Sequence, residues 1–185
     1  MTGLPPDAGP VLTALARAAI VGRMAGTRSP TPPGARWARE PGASFVTLTD
    51  GGRLRGCTGT LEAWRALDDD VRSNVVAAAF RDPRFRPVSR DEVAGLRVEV
   101  SVLGVPKPMA FASRAEALDQ LRPGVDGVIL QVGPRRATFL PQVWHDLPDP
   151  AVFLAHLLVK AGLSAGYAGE MALWRYAVTA FHEER

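Results

Sequence analysis

Arg53-Leu54-Arg55-Gly56-Cys57-Thr58-Gly59-Thr60 follows Asp50-Gly51-Gly52 and carries the only cysteine of a 185-residue chain. Upstream, Ser44-Phe45-Val46-Thr47-Leu48-Thr49 is β-branched and alternating. Asp-Gly-Gly between two such runs predicts a hairpin, because aspartate and glycine tolerate the positive φ that tight turns need. Cys57 then falls on the returning strand. Glycines inside a strand mark a bulge or the close approach of another backbone or a ligand, so Gly56 and Gly59 single out this strand. Arg55, two residues back on the same predicted face, is placed to raise the thiolate fraction of Cys57.

The rest of the chain alternates helices with strand pairs. Val11, Leu12, Leu15, Ala19 and Ile20 recur at helical spacing from Pro10 to about Met24, and residues 1–9 read as a flexible lead. Pro30, Pro32, Pro33, Gly34 and Pro41 predict a loop held by Trp37. A second helix starts at Leu67, with Asp68-Asp69-Asp70 read as capping its N-terminus rather than holding a metal, and ends near Phe80. Ser89-Arg90-Asp91-Glu92 and Ser113-Arg114-Ala115-Glu116 are capping boxes, each predicting a short helix.

Leu96–Leu103 alternates as a half-buried strand whose polar side carries Glu99. Gly127–Val132 and Arg136–Leu140 form a second hairpin, and Asp149-Pro150 opens a last helix that stops at Gly162. Leu173–Phe181 reads as a single closing strand. Strands arriving as hairpins, without regular βαβ alternation, predict an α+β fold with mainly antiparallel sheet and flanking helices.

Composition narrows the function. With 46% hydrophobic residues the chain can bury a real core, and no apolar run is long enough to span a membrane. The N-terminus has neither the basic start nor the apolar stretch of a signal peptide, so the expected location is cytoplasmic. One cysteine makes no internal disulfide, and no Cys/His pair has zinc-site spacing, so no metal or cofactor is assigned. The net charge is +3, but the basic residues are scattered among 19 acids and aromatics are 7%, a pattern unlike a nucleic-acid surface.

Cys57 is the candidate nucleophile, with amides around Gly59 and Thr60 as an oxyanion pocket. Glu99 and His156 are the candidate bases, His156 chosen among the three histidines His145, His156 and His182 and lying in the helical run Leu154-Ala155-His156-Leu157-Leu158. Arg84, after a proline turn, suits a carboxylate or phosphate. The competing reading makes Cys57 a small packing residue of a non-catalytic module that binds a peptide or a partner loop.

Arg-Leu-Arg-Gly-Cys-Thr-Gly-Thr resembles the signature of the AMMECR domain family, whose prokaryotic members are called AmmeMemoRadiSam system protein A. The resemblance continues through Phe80-Arg81-Asp82-Pro83-Arg84-Phe85-Arg86-Pro87-Val88, Val98–Leu103, Gly127–Leu130, Ala137-Thr138-Phe139-Leu140-Pro141-Gln142-Val143-Trp144 and Phe153–Leu163, in family order. It implies one domain over residues 10–185, with a larger and a smaller lobe and the Leu-Arg-Gly-Cys-x-Gly motif lining a cleft between them. It also implies Arg55, Gly56, Gly59, Thr60 and Arg84 as ligand-binding positions, and a modification pathway with Memo-like and radical S-adenosylmethionine partners. The chain lacks the iron–sulfur cysteine triad of the latter.

Overall fold

A computed structural model describes residues 4–27, 30–32 and 34–184. The chain is α+β and divides into two compact units, a larger one running to Leu103 and resuming at Thr179, and a smaller one, Gly104–Val178.

In the larger unit, helix α1 (Ala8–Ala25) buries Leu12, Leu15, Ala16 and Ile20 and closes on Gly26 in the left-handed conformation. The helix takes in Ala8 and Gly9, both buried, the last two residues of the expected flexible lead. Met1–Gly3, like Arg28, Ser29 and Pro33 of the proline-rich loop, lie outside them. That loop contains a short 3-10 helix, Arg36–Arg39, and Trp37 packs on the core.

Strands β1 (Ala43–Asp50) and β2 (Arg53–Gly59) form the expected hairpin, with Gly51 and Gly52 at φ 54° and 78°. Helix α2 (Leu67–Phe80) follows, then β3 (Leu96–Leu103), antiparallel to β1. Val46, Leu48, Val98, Val100 and Val102 on one sheet face pack with Leu12, Ile20, Leu67, Val71 and Val75 of the helices. Each such side chain contributes roughly 1.5–3 kcal/mol.

Two local readings are corrected here. Residues 90–94 form a turn, not a helix: Glu92 does accept from the Ser89 amide (2.8 Å), but Gly95 and Leu96 bond back to the Glu92 carbonyl and the chain enters β3. The acidic triplet lies in the first turn of α2, where Asp68 accepts the Asp69 amide at 2.8 Å, but it does not supply the N-cap residue. Ala66 is the N-cap residue, and Asp68 and Asp69 pair with Arg72. Asp70, fully buried, accepts from the Ser44 amide (2.8 Å) and hydroxyl (2.7 Å), Asn74 (2.9 Å) and Arg65 (2.8 Å).

The smaller unit holds β4 (Lys107–Pro108), α3 (Arg114–Asp119), β5 (Gly127–Val132), β6 (Arg135–Phe139), α4 (Pro150–Lys160) and β7 (Ala172–Tyr176). Its sheet runs β4-β7-β5-β6. Ser113 caps α3 through the Glu116 amide, and Asp149 caps α4 through those of Ala151 and Val152. Trp144 stacks on Phe153 at 3.7 Å and donates to the Asp126 carbonyl (2.7 Å).

The single closing strand predicted over Leu173–Phe181 is two. After β7 the chain leaves the second sheet, and β8 (Val178–His182) joins the first, whose order is β2-β1-β3-β8. The break falls at Ala177, whose carbonyl takes the Gly104 amide at 2.8 Å. Tyr176, buried, ends the second sheet by bonding Thr138 at 2.8 Å, and burial pushes its phenol up to about 12.

Candidate functional site

The register of the first sheet decides what Cys57 can meet. Leu48 pairs with Gly56 but Thr49 pairs with Leu54, so Arg55 is the extra residue of a β-bulge. The bulge takes Arg55 out of the alternation that would set it beside the thiol. Its guanidinium donates instead to Glu92 through Nε (2.9 Å) and Nη2 (3.2 Å). That fork, with the Ser89 amide, holds the Glu92 carboxyl down at about 2.

Both motif glycines answer to packing. A Cβ at Gly56 would stand 2.2 Å from the Ala78 carbonyl oxygen, so α2 lies directly against the strand there. At Gly59 it would meet the Phe45 ring at 2.2 Å. Thr60 donates its amide to the Ser44 carbonyl (2.9 Å), and its hydroxyl receives Asn74 (3.1 Å). An oxyanion pocket built on the Thr60 amide is therefore ruled out, because that hydrogen is already bonded.

What surrounds Cys57 is an Asp82–Arg84 pair. Asp82, 6% exposed, accepts the Cys57 amide (3.0 Å) and is gripped by Arg84 Nε (3.0 Å) and Nη2 (2.7 Å). Arg84 Nη2 also reaches the Cys57 carbonyl at 3.4 Å. The Arg84 fork, with the Cys57 and Arg84 amides, holds the Asp82 carboxyl well below the usual carboxylate range. Asp82 in turn raises Arg84 above the ordinary guanidinium value. Arg55 and Arg84 both lie over Phe85, at 5.8 and 5.5 Å from the ring centre.

Since both backbone groups of Cys57 point away from β1, Thr47 and Cys57 form a non-hydrogen-bonded pair, whose side chains stand closest. Thr47 Oγ1 is 3.5 Å from Cys57 Sγ. Thr47 also pairs with Glu99 on its other side, so Cys57, Thr47 and Glu99 lie in one row on the face away from the helices. The Cα atoms of Cys57 and Glu99 are about 10 Å apart, which sets Thr47 between the thiol and that candidate base. Glu99 accepts the Ser101 hydroxyl (3.0 Å) and faces His182 Nδ1 at 3.6 Å. His156 is exposed on α4, in the other unit.

Sequence reasoning missed Asp82, Thr47 and Glu92 as members of this surrounding, and named His182 only as one of three histidines that could serve the thiol. The Asp82-Pro83-Arg84 turn carried a usable signal, a carboxylate two residues before the arginine that was singled out. Among the described residues, no group of three or more His, Cys, Asp or Glu is arranged to hold a metal ion. No helix described is long and apolar enough to cross a membrane.

Comparison with known proteins extends the local match to the whole chain. A protein of Methanothermobacter thermautotrophicus is 37% identical over 183 residues, covering 96% of this chain and 95% of that one. A protein of Methanosarcina mazei is 41% identical over 122 residues, 65% of this chain and 60% of its own length. The crystal structure of the protein PH0010 of Pyrococcus horikoshii superimposes with a TM-score of 0.85 at 30% identity, covering 95% of this chain and 91% of that one. The AMMECR1 family pattern matches residues 13–181, and with these relatives it establishes that the chain belongs to the AMMECR1 family.

Proposed function

We propose that this chain is a cytoplasmic, accessory component of a modification pathway that handles its substrate through the Cys57 thiol, with Memo-like and radical S-adenosylmethionine proteins as partners. The observation that carries this reading is the fixation of Cys57 by the Asp82–Arg84 fork at both its amide and its carbonyl, while the thiol stays half-buried beside the Thr47 hydroxyl. A thiol that only fills a core does not need its backbone clamped from a turn 25 residues on. The sulfur's side-chain hydrogen bond is to Thr47, with Glu99 beyond it in the same row and His182 facing Glu99, an arrangement that suits substrate handling.

The test is the rate of Cys57 alkylation by iodoacetamide against pH, in the folded chain and in denaturant. A folded-state rate that levels off below the usual thiol range, with loss of pathway turnover in Cys57→Ser, is the expected result. Protection of the folded thiol at every pH rejects it.

One observation favours the second reading, a binding module in which Cys57 packs. The charges nearest the thiol are already spent, Arg84 on Asp82 and Arg55 on Glu92. Under that reading Cys57→Ser leaves partner capture intact and Arg84→Ala abolishes it.

A further inference from the structure

Around the thiol, one carboxylate differs from the rest. Asp82 is neutralised by Arg84, Glu92 by Arg55 and Glu183 by Arg17. Glu99, in the same row as Cys57, has among the described residues no arginine or lysine partner; its ionic neighbour is His182 alone. One of its oxygens accepts the hydroxyl of Ser101, itself only 2% exposed, which fixes the carboxylate's orientation. The other faces His182 at 3.6 Å, beyond hydrogen-bond length, and so keeps unspent acceptor capacity. The side chain is 28% exposed, so a ligand can reach it.

Thr47 lies between and is occupied with the sulfur. A molecule laid along the row therefore meets an anion at one end, a hydroxyl in the middle and a thiol at the other, over about 10 Å of sheet. We propose that Glu99 selects for a cationic group, an ammonium or guanidinium, on the molecule that the thiol meets. This rests on the thiol-handling reading above and adds to it the substrate's charge. Arg97, exposed one row along the same face, is the cation that would work against it.

The experiment uses the full chain and two methanethiosulfonates of equal length, one ending in trimethylammonium and one in sulfonate. In each reaction the Cys57 thiolate attacks the sulfenyl sulfur: a disulfide forms, the bond to the sulfonyl sulfur breaks, and methanesulfinate leaves with the electron pair. The thiol proton goes to solvent. Rates are normalised to those of free cysteine, at low ionic strength.

The expected result is a preference of about fivefold for the cationic reagent, the size of a single charge interaction at such separation. Glu99→Gln should abolish it and Glu99→Asp should keep part of it. Equal rates, an anionic preference, or a cationic preference that survives Glu99→Gln overturns the proposal and leaves the thiol reading standing. A thiol that takes neither reagent when folded but both when denatured overturns the thiol reading and the proposal together.

Discussion

Gly56 and Gly59 are the same residue used against different neighbours, and substitution should tell them apart. At Gly56 the obstacle to a methyl group is backbone, the Ala78 carbonyl of α2, so Gly56→Ala has to push helix from strand. We expect a loss of about 3 kcal/mol, read as a fall of about 6–12 °C in Tm. At Gly59 the obstacle is the half-buried Phe45 ring, which can turn aside, so Gly59→Ala should cost clearly less in the same scan. Asp82 holds Cys57 directly, through its amide. Asp82→Ala leaves the Cys57 amide without its acceptor and Arg84 without its counter-charge. It should cost about 1.5–3 kcal/mol and speed hydrogen exchange at the Cys57 amide.

The carboxylates also set a pH dependence. Glu92 is depressed from 4.5 to about 2 by Arg55 and Ser89. A carboxyl lowered by folding contributes stability that is present above its unfolded value and is lost as pH falls through the folded one. Stability should therefore decline from about pH 4.5 toward pH 2, with Asp82 extending the loss to lower pH. Thermal scans of Glu92→Gln against the parent chain should show a shallower slope in that window. An unchanged slope would mean that the Arg55 fork contributes nothing.

At the scale of elements, the start of α2 depends on one carboxylate. Asp70 binds Ser44 at the head of β1, Arg65 in the loop before the helix and Asn74 one turn on, all at 2.7–2.9 Å. Asp70→Ala strands the Arg65 charge and the Ser44 donors, and should cost about 3–5 kcal/mol in urea denaturation. These same elements show what a sequence discloses. The Gly51-Gly52 hairpin and the Ser113 and Asp149 caps were legible because each is decided by residues within one turn of chain. The Ser89–Glu92 box was misread because its carboxylate also serves Arg55, 37 residues away. The Asp82-Pro83-Arg84 turn signals a local carboxylate–arginine pair, but not its reach to Cys57, 25 residues back: nothing local distinguishes a turn aspartate that meets a strand from one that does not. The break at Ala177 was hidden because β-propensity runs unbroken from Leu173 to Phe181, and only the Gly104 amide and the burial of Tyr176 divide it.

At the scale of the molecule, Gly104–Val178 has its own sheet and its own core, and the Gly104–Ala177 bond draws its two ends together. Expressed alone, that fragment should fold, giving dispersed amide resonances and a cooperative melt. The larger unit is not continuous in the same way. Phe181 packs on its core, the Glu183 amide bonds the Val98 carbonyl, and Arg17 joins Glu183 to the Val93 and Leu96 carbonyls. Removing residues 178–184 should leave β3 the most rapidly exchanging strand of its sheet and raise dye binding by exposed apolar surface.

The return of β8 to the first sheet also has a consequence in time. A chain made from its N-terminus delivers β3 and then the whole of Gly104–Val178 before the strand that covers β3 exists, an interval of about 4–15 s at ordinary rates of translation. Throughout it the far edge of β3 offers unpaired amides and carbonyls to any extended chain nearby, the template on which edge-to-edge aggregation starts. A ribosome that stalls in the second half of the message releases a product with that edge open, so a chaperone or protease can tell an unfinished copy from a finished one by this strand alone.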